Sequence, residues 1–117
     1  MIVVEINGDR ITVRKWSMRD IEEIVYALVQ LIPMGCVTTY KDIANVLKLS
    51  PRLVAKVLSR NRSPIAIPCH RVIKSDGRLG GYTINGRKAP KLKELLLRLE
   101  GYSDCIYSLA KVLEVED

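Results

Sequence analysis

The run Pro68-Cys69-His70-Arg71-Val72 places a cysteine directly before the only histidine of the chain. A thiol attacks only as its thiolate, and a neighbouring imidazole is the commonest means of removing or holding its proton. A free cysteine has a pKa of about 8.5, so a few per cent is ionised at neutral pH, and each unit of lowering corresponds to about 1.4 kcal/mol. The pair therefore points to nucleophilic cysteine chemistry. One histidine cannot complete a Cys/His zinc site, and Cys36, Cys69 and Cys105 form an odd set without CxxC spacing. No metal, no disulfide and no special role for Cys36 or Cys105 are expected. Neither GxGxxG nor GxxxxGK[ST] is present, so no nucleotide motif is supported and no cofactor is expected.

The elements around this pair follow from periodicity and capping. Met1 to Trp16 reads as a β-hairpin, with Val3–Ile6 and Ile11–Val13 flanking Asn7-Gly8, a pair that type I′ turns prefer. Ser17 caps a helix with Asp20 in its first turn. Ile21, Ile24, Val25, Leu28 and Val29 recur at helical spacing until Pro33 and Gly35. Thr39 to Asp42 opens a second helix, spaced as a capping box, with Ile43, Ala44 and Leu47 inward. Ser50-Pro51 starts a third, serine as cap and proline at the first helical position, with Leu53, Val54, Val57 and Leu58 as its apolar face.

Two short helices across a tight turn make a helix-turn-helix. The second presents Arg52, Lys56 and Arg60, with Arg62 just beyond, a basic side suited to DNA. Asn61 to Pro68 is an extended strap, Arg71 to Ile73 a strand or buried loop, and Gly80 to Gly86 a flexible glycine-rich loop. Lys88 to Glu100 reads as a helix with Leu92, Leu95, Leu96 and Leu99 on one face and Gly101 as its stop. Asp104 to Leu113 reads as a last helix packed by Ile106, Leu109 and Leu113.

At 117 residues the chain suits one domain, and a hydrophobic fraction of 48% argues against disorder. Aromatics are 5% with no Phe, so Ile, Val, Leu and Ala must build the core. Nineteen Lys and Arg against thirteen Asp and Glu give a formal charge of +6, which favours a polyanionic partner, most simply nucleic acid. The N-terminus has no basic segment followed by an apolar core, and no window reaches the roughly 18 apolar residues of a membrane span. No membrane association and a reducing, cytoplasmic compartment are expected.

In order along the chain, Gly35-x-Val37-x-Thr39-Tyr40, Asn61, Ile67-Pro68-Cys69-His70-Arg71-Val72-Ile73, Gly80-x-Tyr82 and Lys93-Glu94-x-Leu96-Leu97-x-x-Glu100-Gly101 closely resemble the catalytic and DNA-binding domain of O6-alkylguanine-DNA alkyltransferases. The resemblance runs from about Ser17 to Gly101. It implies a mostly α, winged helix-turn-helix-like catalytic domain over residues 17–117, with the 1–16 hairpin as a reduced remnant in place of an N-terminal domain. It also implies a nucleoid-associated monomer that enters duplex DNA by the minor groove. Such a protein flips O6-alkylguanine out of the stack at a cost of a few kcal/mol and accepts the alkyl group irreversibly.

By the same resemblance Cys69 is the acceptor, His70 removes its proton through a water, and Glu100 orients the imidazole as in a hydrolase triad. Tyr40 crowds the phosphate and donates to guanine N3, while Asn61 is the hinge between recognition helix and cysteine turn. The backbone of Val72 and Cys69 accepts from the guanine amino group, and Tyr82, Thr83 and Lys93 line the base pocket. Arg52 matches the intercalating arginine finger, Ala55 permits close approach, Lys56 suits phosphate, and Thr39 and Arg60 complete the DNA-facing set. Arg62-Ser63 replaces the glycine and second proline of many relatives. Two alternatives stay open: an alkyltransferase-like sensor that binds the lesion without removing it, and a plain winged-helix regulator, which has no use for a Cys-His-Glu set.

Overall fold

The structure, a computed structural model, describes residues 2–115. Ile2–Asn7 (β1) and Arg10–Lys15 (β2) form the expected antiparallel hairpin, but Asn7 pairs with Arg10. The turn is therefore Gly8-Asp9 rather than Asn7-Gly8. Gly8, at φ 63°, fills the first turn position, where a type II′ turn needs glycine.

The hairpin is tied to the next helix, Met18–Val29 (α1), by charge. Arg14 holds Glu5 and both carboxylate oxygens of Asp20, at 2.6 and 3.0 Å for the latter. Asp20 also accepts from the Ser17 backbone N–H, and the Ser17 hydroxyl accepts from Asp20 N–H, so one carboxylate both caps α1 and anchors the hairpin. Past Val29 the chain tightens to i→i+3 bonds, Leu31 to Leu28 and Ile32 to Val29, and the helix stops short of Pro33.

Thr38–Thr39 (β3) leads into Tyr40–Leu47 (α2), and Pro51–Ser59 (α3) follows across a short turn. The Thr39 and Ser50 hydroxyls accept from Asp42 N–H and Leu53 N–H. Val25, Leu28 and Val29 of α1 meet Ile43, Ala44 and Leu47 of α2 and Val54, Val57 and Leu58 of α3 in one core. Each Val, Leu or Ile side chain among them contributes about 1.5–3 kcal/mol on burial. The Tyr26 hydroxyl donates to Val57 O at 2.8 Å, pinning α1 against α3. Cys69, Val72 and Tyr82 belong to this same core, so the segment that carries the cysteine is part of the packing.

A 3₁₀ turn, Cys69–Arg71, runs into Val72–Ile73 (β4), which pairs parallel with β3. Thr83–Ile84 (β5) and Arg87–Lys88 (β6) then form a small antiparallel hairpin where a flexible loop was expected. Its turn is Asn85-Gly86, with φ of 50° and 79°, as a type I′ turn demands at both positions.

Pro90–Leu99 (α4) corrects the expected apolar face. Lys93 and Leu97 point inward with Leu92 and Leu96 partly buried, whereas Leu95 and Leu99 are 45% and 74% exposed. The helix is rotated because Lys93 reaches three oxygen acceptors under the site.

The tail also departs from expectation. Only Leu109–Val112 (α5) is helical. Residues before it are drawn out as extended chain by Val37, whose N–H donates to Cys105 O at 3.0 Å and whose carbonyl accepts from Tyr107 N–H at 2.7 Å. Asp42 does not close the predicted capping box. Its carboxylate accepts from Thr38 Oγ1 (2.8 Å), Ser108 Oγ (3.1 Å) and Leu109 N–H (2.7 Å), holding the tail on α2. Cys36 and Cys105 are joined by a disulfide, against the expectation that both are idle thiols. Strand-like pairing of Val37 with the tail brings together two cysteines 69 positions apart, which sequence spacing could not reveal. Among the described residues no helix is long and apolar enough to cross a membrane.

Candidate active site

A small pocket of about 130 Å³ is lined by Tyr40 from α2, Ala55 and Ser59 from α3, Cys69, and Tyr82 and Thr83 on the approach to β5. Cys69, 5% exposed, is the only cysteine outside the disulfide. Its sulfur sits 3.2 Å from Asn61 Nδ2, which also donates to Ile67 O at 2.9 Å. Asn61 Oδ1 accepts from Ser63 N–H at 2.9 Å. A single side chain thus joins the end of α3, the strap and the Cys69 sulfur.

The His70 ring is fully buried, with Nε2 2.9 Å from Glu100 Oε2. Glu100 ends α4, and close approach there requires Gly35: at φ 91°, a Cβ would lie 3.2 Å from Glu100 O. Burial lowers the His70 pKa from its ordinary 6.5, while the Glu100 contact works against that shift. The ring is therefore neutral at pH 7. With Nε2–H donated to the carboxylate, Nδ1 carries the lone pair, and Nδ1 is buried without a hydrogen-bond partner.

Arg71 is the functional residue that sequence reasoning quoted without giving a task. Its guanidinium grips Glu100 through Nε to Oε1 (2.9 Å) and Nη2 to Oε2 (2.8 Å), and Nη1 donates to Ile32 O at 2.9 Å. This fork holds Glu100 below the usual carboxylate range, with the His70 contact acting in the same direction. Glu100 is therefore ionised and fixed in orientation. No sequence signal pairs Arg71 with Glu100, which lies 29 positions away and is brought to it only by the fold.

Lys93 lies beneath the pocket, fully buried. Its ammonium donates to Val72 O (2.6 Å), Gly81 O (3.3 Å) and Tyr40 OH (3.4 Å). Because an ammonium cannot accept, the Tyr40 phenol keeps its own proton for donation elsewhere. Burial, then the Cys69 charge, push Tyr40 and Tyr82 up to about 12, so both remain phenols. Arg52 and Lys56 are exposed on α3, outside the pocket, and Thr39 is half-buried as the cap of α2. Arg60 pairs with Glu22 at 3.4 Å. Among the described residues no cluster of three or more His, Cys, Asp or Glu is placed to hold a metal ion.

Burial pulls Lys93 from 10.5 down to about 8. The unfolded lysine stays protonated until about 10.5, so between pH 8 and 10 the unfolded chain binds more protons and stability rises with pH. The raised tyrosines act in the opposite sense above pH 10, where they stay protonated longer than in the unfolded chain and stability falls with pH. Relative to Lys93→Met, the native chain is expected to gain on the order of 2 kcal/mol between pH 7 and 10 in urea unfolding. A pH-independent difference would contradict a depressed Lys93.

A family profile described as "6-O-methylguanine DNA methyltransferase, DNA binding domain" matches residues 20–102. A methylated-DNA–protein-cysteine methyltransferase of Pyrobaculum aerophilum is 49% identical over 84 residues, 70% of this chain and 54% of that protein. Among solved structures, Mycobacterium tuberculosis OGT in complex with DNA superposes with a TM-score of 0.63 at 31% identity, over 74% of this chain and 52% of that one. S. pombe Atl1 in complex with damaged DNA containing O6-carboxymethylguanine gives a TM-score of 0.63 at 28% identity, over 74% of this chain and 80% of that one. The chain spans about half the length of the curated relatives it matches. With its ordered motifs gathered around one buried cysteine and most of its length matched, the chain belongs to the 6-O-methylguanine DNA methyltransferase family.

Proposed function

We propose that this protein repairs O6-alkylguanine in duplex DNA by moving the alkyl group irreversibly onto its own Cys69, once per molecule. The observation that carries this reading is the position of Cys69: a lone free thiol at a base-sized pocket, held by Asn61 and followed by a neutral His70 that Glu100 orients. His70 Nδ1 takes the thiol proton through an intervening water, and Nε2–H stays on Glu100 as the imidazolium forms. The sulfur lone pair attacks the alkyl carbon, the carbon–O6 bond breaks, and its electrons pass to the guanine ring. Tyr40, kept protonated, donates to guanine N3 as that charge develops.

Guanine O6 is unreachable within the stack, so the nucleotide must be flipped into the pocket. The DNA lies along α3, reached by the minor groove, with Arg52 filling the vacated position, Ala55 allowing close approach, and Thr39 and Lys56 at phosphates. Tyr82 and Thr83 form the pocket wall, while Lys93 acts from below through Val72 O and Tyr40. The protein works as a monomer beside the nucleoid, without cofactor or metal. Support comes from the relatives named for this activity and from their DNA complexes.

A lesion sensor that does not transfer is the second reading, supported by the fold match to S. pombe Atl1, whose TM-score of 0.63 equals that of the tuberculosis protein. Intact-protein and peptide mass spectrometry after incubation with duplex carrying one O6-methylguanine separates the two. One added methyl on Cys69, with guanine restored in the DNA, is the expected outcome; selective binding without an adduct would give the sensor.

A further inference from the structure

A larger cleft adjoins the Cys69 pocket without containing the nucleophile. It has a volume of about 990 Å³ and opens between the first turns of α1, the end of α3, the 61–68 strap and the β5–β6 turn. Ser59 lines both cavities, and Asn61, whose amide touches the Cys69 sulfur, stands in the wall of the cleft. The cleft therefore continues the mouth of the pocket past the C-terminal end of α3.

Its charge is one-sided. Arg19, Arg60 and Arg62 line it against a single carboxylate, Glu22, and Glu22 is the partner of Arg60. Arg62 is exposed and has no ion-pair partner among the described residues. Arg19 touches only Glu23, at 3.8 Å between side chains 88% and 72% exposed, an arrangement worth little in water. Two guanidinium groups are thus left for an external anion. Guanidinium binds phosphate oxygens through two parallel N–H donors, and an open groove of this size suits an extended polyanion rather than a compact apolar group.

We propose that this cleft holds the sugar-phosphate backbone of the strand whose nucleotide is turned into the Cys69 pocket, with Arg62 and Arg19 each neutralising one phosphate. The proposal rests on the DNA-repair reading above and extends it. A flipped nucleotide stays joined to its neighbours, so the strand must cross the pocket mouth and leave on both sides. The first turns of α3, with Arg52 and Lys56, lie on one side; beyond Ser59 the path lies in the cleft. Arg62, in the strap that carries Asn61, then couples backbone seating to the segment that holds the nucleophile.

The test is the salt dependence of binding, by fluorescence anisotropy, of undamaged duplex and of duplex carrying O6-methylguanine. Native protein, Arg62→Ala and Arg19→Ala are compared, together with the single-turnover transfer rate at saturating DNA. Each variant is expected to reduce the slope of log K against log salt by about 0.9 on both duplexes. Unchanged slopes would overturn the proposal. So would unchanged slopes with slower reaction of bulky O6 substituents alone, which would make the cleft a chamber for the substituent. Reduced slopes in a protein that transfers no methyl group would sustain the backbone site while removing the transferase reading.

Discussion

Replacement of Cys69 by alanine is expected to abolish alkyl transfer completely while lesion-selective duplex binding persists. No other residue can substitute, because the remaining cysteines are joined to each other and no second thiol reaches the pocket. The change removes a sulfur from a buried site, but Asn61 Nδ2 keeps its bond to Ile67 O, so the strap stays seated. The expected stability cost is on the order of 1 kcal/mol, too small to unfold the domain. The readout is the mass of protein and oligonucleotide after incubation, paired with a gel-shift measurement. Methyl transfer by the alanine variant at any detectable rate would remove Cys69 from the reaction. Loss of binding together with loss of transfer would show that the variant had damaged the fold.

Glu100→Gln is expected to have the second largest effect, and it should appear in two independent quantities. The carboxylate accepts from His70 and from both arms of the Arg71 fork. Its replacement places an amide N–H₂ against one of these donors and leaves the Arg71 charge largely buried, a situation that costs about 3–5 kcal/mol. The rate of transfer should fall by about 10²–10⁴-fold, the range for losing an acid–base partner. Glu100 is also what opposes the burial-driven lowering of His70. Without it the imidazole becomes a still weaker base, so the acidic limb of the rate profile should move to lower pH as the plateau drops. A purely structural Glu100 would lower stability yet leave the rate and its pH limb unmoved in the folded fraction.

Local chemistry wrote the helices into the sequence plainly. Ser17, Thr39 and Ser50 sit where their hydroxyls cap α1, α2 and α3, and the apolar spacing finds the buried residues of all three helices, although Ile24, read into the face of α1, lies 36% exposed. The fold class read from the sequence agrees with the helices, the small sheets and the alkyltransferase neighbours. Features depending on distant partners were hidden. The same Asn-Gly pair occurs at 7–8 and at 85–86, but only the second forms the central pair of a turn. Strand register, set by pairing along the whole hairpin, decided the first case. Leucine spacing misassigned the buried face of α4, since a buried lysine with three oxygen acceptors overrode the apolar pattern. Motif order placed Cys69 and His70 in one short segment, whereas the Arg71 grip on Glu100 spans 29 positions and becomes visible only in three dimensions.

The disulfide closes residues 36–105 into a covalent ring, and that ring contains Tyr40, Asn61, Cys69, His70, Arg71, Lys93 and Glu100. The 2–15 hairpin, α1 and α5 are appendages to it. A cut at the exposed Asn85-Gly86 turn would leave the two halves of the reaction centre linked, one carrying the sulfur and its imidazole, the other the carboxylate. Continuity of the peptide chain at that loop is then dispensable for keeping the two halves together, while reducing the bond would let a nicked molecule fall apart.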